Sequence, residues 1–177
     1  NELMDFRKLG ADKVVLPGVG SFGDAMEKLN KYDLVDTVKE VVSRNIPFLG
    51  ICLGLQLLFE ESDETPGVKG LGILPGKIIK IPEGESLKVP HIGWNSLDFH
   101  NNGRLFKGID EKAYVYFVHS YYANSSNKEL VAYAEYEKKI PSIVRKDNVY
   151  GLQFHPEKSG EVGQNILKAY KELIVKW

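Results

Sequence analysis

The sequence predicts an α/β fold: a mostly parallel central sheet flanked by helices, with additional antiparallel strands in the second half. Three observations predict it. A β-branched run at residues 13–16 and an apolar run at 48–51 are separated by two helical patterns, which is the alternation of parallel-sheet units. The second half is instead built of short, aromatic, alternating segments, which favour antiparallel pairing. The last segment carries apolar residues at helical spacing. With 177 residues, 43% of them apolar and 27% charged, the chain can bury a real core, and one domain over residues 1–177 is expected.

In order, the first strand ends at Pro17 and is followed by the glycine-rich loop 18–23. Asp24 then reads as a helix N-cap, with Glu27 three residues on as in a capping box. A second helix is predicted over about 34–44, with Leu34, Val38, Val41 and Val42 on one face and Asn45 near its end. Phe48, Leu49 and Ile51 form the continuous run of a strand covered on both faces, and Leu53, Leu57 and Leu58 continue at helical spacing. Segments 77–81, 96–99, 114–118, 130–136, 142–145 and 149–154 read as antiparallel strands. Val162, Ile166, Leu167, Tyr170, Leu173, Ile174 and Trp177 mark a closing amphipathic helix. Because the sequence opens at Asn1 with only a short helix-to-strand lead-in, the fold is expected to lack its own beginning.

Charge excludes some partners. Lysine plus arginine (23) nearly balance aspartate plus glutamate (24), for a net charge of -1, so no global field favours nucleic acid or an anionic membrane. The uncharged stretch at residues 45–59 is 15 residues long and contains Asn45, Pro47, Gly50, Gly54 and Gln56, too short and too polar for a membrane span. A single cysteine excludes an internal disulfide, and no basic-then-apolar leader opens the chain; a cytoplasmic location is expected. The Asn124-Ser125-Ser126 sequon is then a chance match. Neither a metal nor a cofactor is expected.

The sharpest local feature is Gly50-Ile51-Cys52-Leu53-Gly54 at a strand-to-helix turn. A nucleophile elbow needs this context, because the reactive residue sits on a strained corner where flanking glycines let the backbone crowd together. The positive end of a helix there is expected to lower the thiol pKa. The alternative is that Cys52 is a small buried hydrophobe. A cysteine nucleophile needs an imidazole and a group to orient it. Of His91, His100, His119 and His155, the last stands out in Gln153-Phe154-His155-Pro156-Glu157. The proline biases His155 toward extended backbone, and residues two apart in an extended chain share a side, so Glu157 can reach the ring. The alternatives are a solvated surface turn and, for the base, His119.

Gly18-Val19-Gly20-Ser21-Phe22-Gly23 spells G-x-G-x-x-G between strand and helix, which is the dinucleotide fingerprint. Against that reading, Asp24 and Glu27 put carboxylates where a pyrophosphate would sit, and no acidic residue ends a second strand about 20 residues on. The other use of such amides is an oxyanion hole, shared with the Leu53 N–H.

The order PGVGSFG, GICLGLQLLFE, PHIGWN, YFVHSYY, QFHPEKS resembles the class I, triad-type glutamine amidotransferases over nearly the whole chain, and among them the glutaminase subunits of imidazole glycerol phosphate synthase. The resemblance implies the class I amidotransferase fold and a triad of Cys52, His155 and Glu157. It implies oxyanion amides from Val19 and Leu53, the first after the Gly18–Val19 peptide reorients. Gly20, Gln56, Ser120 and Tyr121 match positions that hold the amino-acid end of L-glutamine. Trp94, Tyr116 and Lys158 match positions that face the cyclase partner, which is a (β/α)₈ barrel. The implied reaction is hydrolysis of glutamine to glutamate and ammonia through a glutamyl thioester. The ammonia would pass to the cyclase, which makes imidazole glycerol phosphate and aminoimidazole carboxamide ribotide in histidine biosynthesis. Another class I amidotransferase or a γ-glutamyl hydrolase is the neighbouring alternative. The family opens with a strand and helix of roughly 30 residues, the size of a βα unit, that this sequence lacks.

Overall fold

A computed structural model describes residues 11–83, 88–101, 104–106 and 109–173. The first half runs β1 (Val14–Gly18), α1 (Phe22–Lys31), α2 (Leu34–Ser43), β2 (Phe48–Cys52) and α3 (Leu53–Gln56). Next come β3 (Glu61–Ser62), β4 (Lys77–Lys80), β5 (His91–Ser96), β6 (Asp98–Phe99), β7 (Tyr114–His119) and β8 (Tyr121–Asn124). The chain closes with β9 (Leu130–Glu135), β10 (Lys139–Lys146), β11 (Val149–Leu152) and α4 (Gly160–Lys171), and 3-10 turns lie at Arg104–Phe106 and Pro156–Lys158.

Among the described residues the main sheet is six-stranded, in the order β1-β2-β11-β10-β9-β6. β2 is parallel to both β1 and β11, and all five of its residues are buried, which explains its unbroken apolar run. The remaining pairings, β11 with β10, β10 with β9 and β9 with β6, are antiparallel, so the sheet is mixed rather than mostly parallel. The antiparallel strands expected in the second half join the parallel strands in this one sheet. A three-stranded sheet (β3-β4-β8) and a two-stranded ribbon (β5-β7) flank it.

Helices cover both faces. Phe22, Met26 and Leu29 of α1 and Val38 and Val41 of α2 pack with Phe48, Leu55 and Leu58. On the other face, Ile166 and Tyr170 of α4 pack with Leu49, Ile143, Leu152 and Phe154. The Tyr170 hydroxyl lies 2.8 Å from the Val14 carbonyl oxygen and 2.7 Å from that of Pro47 and donates to either, pinning α4 to the start of β1 and β2.

Several boundaries differ from the sequence reading. Helix α1 is capped by Ser21, not Asp24: its extended backbone presents Oγ to the Asp24 N–H at 3.3 Å. Phe22, fully buried, draws the helix start back over Gly23. Helix α3 ends at Gln56, although Leu57, Leu58 and Phe59 are all buried. The carbonyls of Leu57 and Leu58 accept instead from Leu71 (2.8 Å), Ile73 and Leu74 (both 2.9 Å), so tertiary bonds replace the helical ladder. Pro17 does not end β1, which has a described partner on one side only and so tolerates a residue without an N–H. β11 pairs parallel with β2 as well as antiparallel with β10, and the sequence pattern gives no sign of β3, β8 or most of β5. The lead-in at residues 1–10 and, from the closing helix, Ile174 and Trp177 lie outside the described residues.

The tightest packing lies where α3 meets the sheet. A Cβ on Gly54 would sit 1.8 Å from the Leu16 carbonyl oxygen, whereas one on Gly18 would meet the Leu53 Cβ at 3.1 Å. Gly54→Ala is therefore expected to cost upwards of about 3 kcal/mol in urea unfolding, and Gly18→Ala clearly less. Equal unfolding midpoints would contradict this packing.

Candidate active site

Cys52 closes β2 at a corner with φ 53° and ψ -110°, a region that residues with side chains rarely occupy. Two glycines make the corner possible. A Cβ on Gly50 would lie 2.6 Å from the Gly54 carbonyl oxygen, and Gly54 itself presses on Leu16. The elbow expected from the sequence is therefore present.

The thiol does not behave as expected. Burial pushes its pKa up to about 11, outweighing the Leu53 N–H that favours the thiolate; Glu157 adds to the rise and Lys158 opposes it. A helix of four residues offers too small a dipole to reverse the desolvation. At rest the sulfur is protonated, its S–H directed at the Val118 carbonyl oxygen (3.9 Å), and it accepts from Gln153 Nε2 (3.9 Å).

His155 follows β11 with extended backbone (φ -96°, ψ 99°), and its Nδ1 lies 2.6 Å from Glu157 Oε1. The His-Pro-Glu geometry read from the sequence holds. The ring is buried while Glu157 is about half exposed. The backbone around it is fixed: the His155 N–H donates to Tyr116 O (2.9 Å), and Ser159 Oγ donates to His155 O (2.6 Å).

Cys52 and His155 line one cavity of about 290 Å³, together with Val19, Gly20, Leu53, Gln56, Glu64, Val118, His119, Ser120 and Tyr121. It opens at the carboxyl ends of β1, β2 and β11, the usual place for a site on parallel strands. Among the described residues the thiol's hydrogen bonds run to Val118 and Gln153 rather than to the imidazole. All the sequence-predicted oxyanion and substrate residues are in this wall. Gln56 Nε2 spends its two hydrogens on Tyr121 O (2.9 Å) and Gln153 Oε1 (3.1 Å), so its oxygen is the atom left to face a ligand.

Sequence reasoning missed Glu64, Val118 and Gln153. Glu64 Oε2 accepts from the Phe22 N–H (2.7 Å), and Thr65 Oγ1 accepts from the Gly23 N–H (3.2 Å). With Ser21 on Asp24, the first-turn donors of α1 are consumed by side chains of the chain itself. A carboxylate sits where a pyrophosphate would bind, which removes the dinucleotide reading more directly than Asp24 and Glu27 do. His119 is a wall residue: Nδ1 donates to Tyr121 O (2.9 Å) and Nε2 accepts from His91 Nδ1 (3.1 Å).

Trp94 and Tyr116 face each other across the β5-β7 ribbon, ring centroids 6.0 Å apart. Trp94, Tyr114 and Ile92 are more than half exposed, Tyr116 is half-buried, and Lys158 is exposed three residues after His155. The sequence-predicted partner-facing residues thus all reach the surface, and the Tyr116 backbone is bonded to that of His155. Among the described residues no helix is long and apolar enough to cross a membrane.

Residues 1–171 match the family model described as glutamine amidotransferase class-I. The chain belongs to that family. It is 49% identical over 166 residues to imidazole glycerol phosphate synthase subunit HisH of Methanocaldococcus jannaschii, covering 94% of this chain and 83% of that one. To the subunit HisH of Listeria innocua it is 48% identical over 165 residues, covering 93% and 79%. Among solved structures, PurLQS from Thermotoga maritima superposes with a TM-score of 0.66 at 20% identity, covering 90% of this chain and 78% of that one. That likeness speaks to the fold of this amidotransferase.

Burial holds the pKa of His91 down to about 4 and that of His119 to about 3, against 6.5 for a free imidazole, and His155 lies close enough to add to the depression of His119. The unfolded chain therefore binds more protons than the folded one from about pH 6.5 down to about pH 4. Stability present at pH 7 is lost on acidification through that window, by roughly 2 kcal/mol or more at pH 5. Urea unfolding at pH 7 and pH 5 checks this; a His91→Asn, His119→Gln variant is expected to show a flatter dependence.

Proposed function

We propose that the chain is the glutaminase subunit of an imidazole glycerol phosphate synthase. It hydrolyses L-glutamine to glutamate and ammonia and supplies the ammonia to a cyclase partner in histidine biosynthesis. The observation that carries this reading is the joint placement of Cys52 and an imidazole bonded to Glu157 on the wall of one cavity of about 290 Å³.

In this mechanism the Cys52 sulfur attacks the side-chain carbonyl carbon of glutamine while its proton moves to His155, whose imidazolium is held by Glu157. The S–C bond forms, and the Val19 and Leu53 amides take the oxyanion. His155 returns the proton to the departing nitrogen, the C–N bond breaks and ammonia leaves. Water then gives a proton to His155 and attacks the thioester; the S–C bond breaks, the thiol recovers a proton, and glutamate is released. A thiol that is neutral at rest suits this order, because proton transfer accompanies attack. Gly20, Ser120, Tyr121 and the Gln56 oxygen support the amino-acid end of the substrate, and the Glu64 carboxylate suits its ammonium group.

Ammonia released into bulk water would be protonated and lose its nucleophilicity, so the reading requires a covered route to a partner. We assign that partner as a (β/α)₈-barrel cyclase producing imidazole glycerol phosphate and aminoimidazole carboxamide ribotide. It would dock on the exposed Trp94 and Lys158 and the outward edge of Tyr116. The reading takes residues 1–177 as one domain, places it in the cytoplasm and gives it no nucleic-acid or membrane partner.

Cys52→Ser is expected to cut glutamate release by at least about 10³-fold, measured with the cyclase present, while leaving the two proteins co-eluting. Retained hydrolysis would overturn Cys52 as the nucleophile. Glu64→Gln is expected to raise the KM for glutamine by about tenfold with a smaller change in kcat; an unchanged KM would separate Glu64 from the substrate.

A further inference from the structure

We propose that Gln153 is a further catalytic residue: its buried side-chain N–H holds the Cys52 sulfur and stabilises the thiolate as attack begins. The inference rests on Cys52 being the nucleophile.

Orientation comes from a chain of hydrogen bonds with one consistent direction. The Tyr121 carbonyl can only accept, so Gln56 turns its amide nitrogen toward it (2.9 Å). The second hydrogen on that nitrogen needs an acceptor and finds Gln153 Oε1 at 3.1 Å. Gln153 is fully buried, and with its oxygen so engaged it must present Nε2 to the sulfur, at 3.9 Å. The same carbonyl receives His119 Nδ1–H (2.9 Å); His119 Nε2 then accepts from His91 Nδ1 (3.1 Å), and His91 Nε2 faces Asn95 Nδ2 (3.4 Å). Each imidazole must offer one bare nitrogen, so this arrangement needs both rings neutral, and burial keeps them so.

The other groups on the sulfur do not replace Gln153. Val118 O accepts the S–H proton at rest and faces an anion with a lone pair once that proton has left. The Leu53 N–H favours the thiolate but is also assigned to the oxyanion, and it cannot serve both fully. Among the described residues the Gln153 N–H is bonded to the sulfur, and a donor to a charged acceptor binds more strongly than one to a neutral acceptor.

Cys52 is the single cysteine, so alkylation by iodoacetamide reads this thiol alone. In the full chain at pH 9, Gln153→Met is expected to slow alkylation by about tenfold, and Gln153→Glu by more, because a carboxylate there opposes the thiolate. A merely altered access would slow the two similarly sized replacements alike. With the cyclase present, kcat for glutamine hydrolysis should fall in the same order. An unchanged alkylation rate in a folded Gln153→Met protein, or equal rates for the Met and Glu variants, would overturn the proposal. Should Gln153→Met fail to fold by circular dichroism, Gln153→Glu decides alone: slower alkylation than wild type supports the role, and equal or faster alkylation refutes it. Failure of the glutaminase reading shows separately, as absence of glutamate release by the wild-type pair whatever the alkylation rates.

Discussion

The positive-φ corner at Cys52 is the constraint on which the site depends. Such a conformation costs on the order of 1–3 kcal/mol for a residue with a Cβ and persists only where its surroundings leave no alternative. Here the surroundings are backbone. Gly50 and Gly54 approach so closely that a methyl group on either would overlap a neighbouring carbonyl, and β2 is clamped between β1 and β11 on both edges. Cys52 is thereby held at the boundary between the core and the cavity, buried yet part of the cavity wall. The same parallel pairings bring the glycine loop after β1 and His155 after β11 to the same end of the sheet, so three segments distant in sequence meet at one point.

Electrostatics at that point favours neutrality. Desolvation outweighs the Leu53 amide at Cys52 and hydrogen bonding at His119, and at His91 it is burial that lowers the pKa. Under the proposed function, in which the ammonia is delivered to a partner, a preformed thiolate would be a liability. In the proposed mechanism the thiol ionises only as its proton passes to His155, so attack waits for substrate and oxyanion donors to be in place. The ribbon carrying Trp94 and Tyr116 is joined to this machinery by the backbone bond between Tyr116 and His155. Events on the aromatic face therefore have a short covalent and hydrogen-bonded route to the imidazole.

Much of this was legible because it is local. Cys52 between glycines and Glu157 two residues after His155 are spacing statements, and the structure reproduces both. β2 was legible because burial on both faces leaves an unbroken apolar run. The sign of the thiol shift was not, since it depends on how much protein surrounds the sulfur and on a helix ending after four residues. The end of α3 was hidden because Leu57 and Leu58 stay buried while their carbonyls are taken by a loop further along the chain. Glu64, Gln153 and the His91–His119 pair carry no local signature: Glu64 reaches Phe22 across 42 positions, and Gln56 meets Gln153 across 97. Such pairs become visible only once the strand order is known.

The proposed reaction requires the sulfur at this corner to become covalently bonded to the substrate. Acid quenching of the chain with its cyclase partner during glutamine turnover, followed by mass spectrometry of the peptides, tests it directly. A glutamyl adduct confined to the peptide containing Cys52 is expected. Glutamate release with the adduct on another peptide, or with no adduct at any quench time, would contradict it.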